Sequence, residues 1–244
     1  FYRLGKLLAE EGDAATAEDN LRKAVALDPD HAEAHYHLAR LLTALDDPAP
    51  ARKHFFRSLE INPEFSLAYY HLGHHLERHG DVNEAKIHFQ KATDVDQNFV
   101  EAYYNFARIL NSPSEFDQAV RNYETAIEID PSHARAHYGY AKLVYSGKRL
   151  TSDSTLLEEP DLTTAEHHFR KAIEIDPSFA KAHFRLGLLL HLDNRYTDAQ
   201  HHLQEAITVN PRYAQAHYHL AVLLMDPLAT KALGAGNSKL PKET

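Results

Sequence analysis

An all-α chain assembled from short helix hairpins is the fold class that this sequence predicts, and three observations carry it. The stretch AEAHYHLARLL at residues 32–42 returns as SLAYYHLG (66–73), VEAYYNFA (100–107), ARAHYGYA (134–141), AKAHFRLG (180–187) and AQAHYHLA (214–221). A second motif keeps step with it, from LRKAVALDP at 21–29 to LQEAITVNP at 203–211. Composition agrees: 43% hydrophobic and 25% charged residues suit a foldable soluble chain, and nine glycines in 244 residues leave little room for long loops.

The starts at 32, 66, 100 and 134 are 34 residues apart, as are those at 180 and 214. The step from 134 to 180 holds one such unit plus 12 inserted residues. Units are numbered from the residue that opens the first helix, so Ala32, Ser66, Val100, Ala134, Ala180 and Ala214 are position 1. Positions 4, 7, 8 and 11 follow the i, i+3, i+4, i+7 spacing of one helix face, as in His35, Leu38, Ala39 and Leu42. A second stripe at 20, 24 and 27, here Ala51, Phe55 and Ser58, marks a second helix. Pro63 ends it, lacking an N–H and biasing its predecessor away from helix. Short turns such as Asp46-Asp47-Pro48 and Gly80-Asp81 join the two helices, and the small residues at 8 and 20 let them approach closely.

This pattern resembles the tetratricopeptide repeat, a family with an aromatic at 4, Leu at 7, Gly or Ala at 8, Ala at 20, an aromatic at 24, Ala at 27 and Pro at 32. Phe1, Leu4, Gly5, Leu8, Ala17, Leu21, Ala24 and Pro29 fit a first unit, and Leu186, Gly187, Ala199, Leu203, Ala206 and Pro211 fit a later one. Departures are Gln97 for Pro, Ser58 for Ala, and Leu or Val for the family's Tyr at 11. The resemblance implies an array over residues 1–226, a right-handed superhelical solenoid of antiparallel hairpins. Its units are 1–31, 32–65, 66–99, 100–133, 134–179, 180–213 and a half unit 214–226, followed by a tail at 227–244. The insertion near 146–160 is expected to be a polar surface loop, with a flap or a phosphorylated switch as its functional readings. Because the chain opens on Phe1 and closes after an apolar helix, it is expected to be covered by its tail folding back through Leu228 and Leu233, to be part of a longer array, or to pair through its ends.

The resemblance also implies that the first helices line a concave groove, with positions 2, 5, 6, 9, 12 and 13 on or near it. Position 5 is aromatic throughout, as in Tyr36, Tyr70, Tyr104, Tyr138, Phe184 and Tyr218. Groove positions carry nine basic residues, among them Arg40, Arg108, Arg135, Lys142, Lys181 and Arg185, against five acidic ones, on a chain of net charge -9. Position 9 reads Lys6, Arg40, His74, Arg108, Lys142 before turning apolar. A cationic aisle with aromatic rungs fits a protein or peptide partner of acidic character. Of the residues with which some relatives clamp a chaperone's terminal carboxylate, Lys181 and Arg185 match one pair and Asn105 one further element; the rest are missing.

Other functions have less support. The net acidity argues against a nucleic-acid partner. Absent cysteines exclude disulfides and thiolate metal sites. His71/His75 and His133/His137 have i, i+4 spacing, but no carboxylate or further ligand completes a metal site. The histidines at position 4, His35, His137, His183 and His217, stand where the family places a packing aromatic. With no phosphate loop or nucleophile elbow, no catalytic residue, cofactor or metal is expected. No targeting segment or membrane span is evident, and a cytoplasmic location is expected. The resulting expectation is a non-catalytic interaction scaffold. Its alternatives are a substrate-recognition array of a larger enzyme, such as a glycosyltransferase, and a homo-oligomeric scaffold assembled through its ends.

Overall fold

Every second helix stops on the same local chemistry. At position 31, Asp28, Asn62, Asp96, Asp130, Asp176 and Asn210 each accept the backbone N–H two residues on, at 3.3, 3.1, 3.0, 2.9, 2.9 and 3.2 Å. These are Asx turns, in which the side chain substitutes for a backbone turn. They explain why Gln97 replaces Pro without harm, since the Asp96 carboxylate makes the turn whether or not its neighbour has an N–H.

The turn inside each hairpin has a different requirement. Position 15 is left-handed at Gly12 (φ 89°), Asp46 (φ 61°), Gly80 (φ 88°) and Asn194 (φ 58°). Gly, Asn and Asp are the residues that tolerate this backbone best. Some helix starts are capped by an acidic side chain, although the N-cap residues Asp47 and Asp81 make no such bond. Asp13 accepts from Thr16 N–H at 3.2 Å and Asp161 from Thr164 N–H at 2.9 Å, each such cap stabilising by about 1 kcal/mol.

The computed structural model describes residues 1–150, 156–158 and 160–237. The chain divides between Leu110 and Asn111 into two compact units. In the first, α1 (Tyr2–Glu11) pairs with α2 (Ala14–Leu27), α3 (Ala32–Ala44) with α4 (Pro48–Ile61), and α5 (Ser66–Arg78) with α6 (Val82–Val95); α7 (Val100–Ile109) packs on α6. The second opens with a 3-10 turn (Pro113–Glu115) and α8 (Phe116–Ile129). It continues with α9 (Ala134–Ser146) against α10 (Leu162–Ile175), α11 (Ala180–Leu192) against α12 (Tyr196–Val209), then α13 (Ala214–Met225) and α14 (Pro227–Asn237). In both units each hairpin's second helix receives the first helix of the next, so the fold is an all-α stack of hairpins.

The insertion departs from a plain loop. Its β1 (Lys148–Leu150) pairs antiparallel with β2 (Leu156–Glu158), in register Lys148↔Glu158, Arg149↔Leu157, Leu150↔Leu156. Strand β1 lies against the 3-10 turn and α8. Residues 151–155 and 159, on which the expected phosphorylation switch largely falls, lie outside the described residues.

The core is the predicted stripe. Ala17, Ala51, Ala85, Ala119, Ala165 and Ala199 at position 20 are fully buried, and Leu21, Phe55, Phe89, Tyr123, Phe169 and Leu203 at position 24 are buried beside them. Each of these larger side chains contributes roughly 1.5–3 kcal/mol by leaving water. Gly139 on α9 is a special case. At position 6, where other units carry Arg, His or Asn, a Cβ on Gly139 would lie 2.6–2.7 Å from the ring and hydroxyl of Tyr123. Glycine is what lets α8 press its buried tyrosine onto α9. Gly139→Ala is therefore expected to destabilise by roughly 1–3 kcal/mol through overpacking. Urea unfolding followed by circular dichroism reads this out, and an unchanged midpoint would contradict the close approach.

Candidate functional site

The aromatic row at position 5 is set by packing between successive hairpins. Tyr36 is buried (3% exposed) and lies 4.8 Å from Phe65, the residue just before the next first helix. The same slot repeats as Tyr2 on His31 (4.5 Å), Tyr70 on Phe99 (4.9 Å), Tyr138 on Phe179 (4.8 Å) and Phe184 on Tyr213 (5.1 Å). These rings join neighbouring repeats through tilted aromatic contacts. Tyr36 and Phe184 are buried, Tyr70, Tyr104 and Tyr138 half-buried, and Tyr218 is 65% exposed.

In the first unit, four predicted residues meet in one polar network. Asn105 on α7 donates to the Tyr70 hydroxyl at 3.3 Å and to the Glu101 carbonyl at 2.8 Å. Arg108 donates through Nε to Asn105 at 3.2 Å, and through its two terminal nitrogens to both Glu77 oxygens at 2.8 and 2.6 Å. His74 stands 3.8 Å from the same carboxylate. The Arg108 hydrogen bonds hold the Glu77 carboxyl below its ordinary range despite partial burial. Arg108 is thus a bridge between α5 and α7, with its charge balanced by Glu77. Arg78 is likewise paired, to Asp46 at 3.0 Å.

Arg40 differs. Among the described residues it has no carboxylate partner; its guanidinium stands 5.7 Å from the Tyr36 ring centre. It borders a cavity of about 570 Å³ between α3 and α5, with Phe55, His71, His74 and Glu77 also on its walls. The imidazoles add no charge there at neutral pH. Burial, then Arg40, pushes His71 down to about 3, and burial and Arg40 push His37 down to about 4. Burial also lowers His74. In the second unit, Arg135 and Lys142 on α9 and Lys181 on α11 are exposed, and Arg185 is half-buried with its guanidinium 5.9 Å from the Phe184 ring centre. None of these four has a carboxylate partner among the described residues.

Sequence reasoning identified the cations but missed their pairing. The signal for one pair was available: Glu77 is position 12 and Arg108 position 9 of the next unit, so adjacent first helices bring them side by side. Among the described residues, no group of three or more His, Asp or Glu side chains is placed to hold a metal ion, and no helix is long and apolar enough to cross a membrane.

Stacked two-helix repeats with a polar, cation-bearing row on the first helices define a helical-repeat interaction protein. Tetratricopeptide repeat models match residues 8–72, 67–99, 168–201 and 193–237, and a TPR repeat model matches 107–147. The chain belongs to the tetratricopeptide repeat family. As such it is a protein–protein interaction scaffold, of a fold that is generally non-catalytic.

Solved structures agree on the fold. YrrB, described as a TPR protein with an unusual peptide-binding site, is 21% identical, with 82% of this chain and 96% of that one covered and a TM-score of 0.65. PilF of Pseudomonas aeruginosa is 17% identical over 90% of this chain and 95% of its own, with a TM-score of 0.73. MamA is 23% identical over 74% and 99%, with a TM-score of 0.60. No curated protein matches the chain in sequence.

Burial separates two roles within the predicted site. Tyr36→Ala is expected to cost roughly 3–5 kcal/mol, as for other buried aromatics, whereas Arg40→Ala stays within about 0.5 kcal/mol of the parent. Denaturant midpoints of the two variants test this; equal losses would show that Arg40, too, is structural.

Proposed function

We propose that this chain is a non-catalytic scaffold that holds an acidic peptide segment along its first helices, with Arg40 as an anchor in the first unit. The carrying observation is that Arg40 borders a cavity with no carboxylate partner among the described residues, the one carboxylate on the cavity wall, Glu77, being engaged by Arg108, while Arg78 is paired with Asp46. An unbalanced guanidinium at the mouth of a cavity with an aromatic wall offers charge-assisted hydrogen bonds to a carboxylate and apolar contact to its stem. Arg135, Lys142, Lys181 and Arg185 supply further unbalanced charge in the second unit. YrrB, of similar fold, is described as having a peptide-binding site, which supports peptide capture as the mode.

Selection from a random peptide display library on the immobilised chain tests the reading. Enriched sequences are expected to be rich in Asp and Glu. Their affinity is expected to fall roughly tenfold or more in Arg40→Glu and Lys142→Glu, and to weaken as salt is raised. Enrichment of neutral or basic sequences, or full binding by both variants, would reject it.

A second reading rests on a different surface. Helix α13 and the start of α14 expose Tyr218 (65%), Leu224 (47%), Met225 (81%) and Leu228 (65%), an apolar face suited to a second copy of the chain. Sedimentation equilibrium is expected to show self-association abolished by Met225→Glu. A monomer at all concentrations would exclude it.

A further inference from the structure

Six histidines away from the groove cavity form three matching pairs. In hairpins α3/α4, α9/α10 and α11/α12, the histidine at position 4 faces one at position 23. The Nδ1–Nδ1 distances are 2.9 Å for His35 and His54, 2.8 Å for His137 and His168, and 3.1 Å for His183 and His202. The other nitrogen of each position-4 ring, Nε2, lies 3.1, 3.1 and 3.2 Å from the carbonyl oxygens of Pro29, Pro131 and Pro177. A carbonyl only accepts, so Nε2 carries the hydrogen and the neutral ring presents a bare Nδ1. The position-23 ring must then donate from its own Nδ1–H, which leaves its Nε2 bare. One tautomer of each ring satisfies both contacts.

Proton counting follows from that assignment. A proton added to a folded pair can enter at Nε2 of His54, His168 or His202 with the inter-ring bond intact. A second would go between the rings, setting two N–H groups and two cations against each other at about 3 Å. In the unfolded chain both rings are free to protonate. We propose that the three histidine pairs make the array acid-labile, because each folded pair admits at most one proton where its separated rings admit two. Acid thereby opens the second, fifth and sixth hairpins and is a means of releasing whatever the scaffold holds. The inference does not depend on the nature of that partner.

The surroundings reinforce this. Burial lowers all six groups, and His54, His168 and His202 are pushed down to about 4. Around the first pair stand Arg22, Lys53, Arg57 and His31, opposed by Asp30. Around the second stand Lys171, His133 and His167, opposed by Asp130 and Glu174, and the Tyr140 ring lies 4.8 Å from His168 with its hydroxyl bound to Glu124. The third has Arg170 and His201 opposed by Asp198 and Glu205. Because folding lowers these values below the ordinary 6.5 of the free ring, the unfolded state binds more protons below that pH. Stability is complete above about pH 6.5 and is lost as pH falls toward 4. His88 is the built-in contrast. Position 4 of its unit is Tyr69, whose ring stacks at 5.9 Å, and the buried His88 Nδ1 has no hydrogen-bond partner among the described residues.

Asparagine stands at position 23 in two other units, where Asn20 and Asn122 bond back to their own helix at 2.8 and 2.7 Å. The triple variant His54→Asn/His168→Asn/His202→Asn is therefore compatible with the fold. Thermal midpoints of the full chain between pH 8 and 4.5 are expected to fall more steeply in the parent, by roughly 3–5 °C per pH unit for each pair. Parallel slopes would overturn the proposal. Two-bond 1H–15N spectra of the parent at pH 7.5 read the tautomers directly, whether or not the variant folds. Nε2–H at His35, His137 and His183 with Nδ1–H at His54, His168 and His202 is the expected pattern. Nε2–H on all six rings would overturn the proposal.

Discussion

Close nesting of one helix pair against the next is the constraint on which everything else rests. It needs a small side chain wherever two backbones approach and a large one where the next hairpin must be gripped. Alanine at position 20 and a ring or leucine at position 24 meet the first and second needs within each hairpin. The ring at position 5, seated on the aromatic that precedes the following first helix, meets the second need between hairpins. Because each hairpin buries its faces only against its neighbours, stability in such an array is close to a sum of local terms. A disturbance at one interface is felt first by the two hairpins that share it.

The same constraint shapes the polar chemistry. First helices of successive hairpins run side by side, so a residue on one finds a partner about 31 positions later on the next. Arg108 reaches Glu77 in this way and Arg78 reaches Asp46. These pairs use charges that simple counting along the groove treats as available. What stays unbalanced, Arg40 above all in the first unit, is the smaller set able to attract a partner. Burial keeps the imidazoles beside Arg40 neutral, so the positive charge at that cavity rests on guanidinium groups.

Histidine has a structural role in this chain that its abundance conceals. Where position 4 is histidine in the second, fifth and sixth hairpins, position 23 is histidine too, and the two rings share a hydrogen bond that tyrosine at position 4 cannot replace in kind. Tyr69 and His88 show the substitution: the rings still stack, and a buried nitrogen is left without a partner among the described residues. Buried polar groups cost free energy when unpaired, so a paired imidazole array is stable only while its proton inventory is right.

The order of helices, the turn chemistry and the core stripe were legible in the sequence, because period, proline, Asx residues and small-residue positions act locally and recur in every unit. The aromatic row at position 5 was also visible, but its burial was not, since the ring that covers Tyr36 belongs to Phe65 of the following turn. The insertion at 146–160 gave no alternation from which a strand pair could be read, and its antiparallel register is seen only once its two three-residue strands pair. Charges and histidines could be counted from the chain, yet which of them are balanced, neutral or paired depends on side chains 19 to 32 residues apart in sequence. Local periodicity therefore determined the architecture, while the chemical state of each polar group was decided by distance and burial, which exist only once the hairpins are stacked.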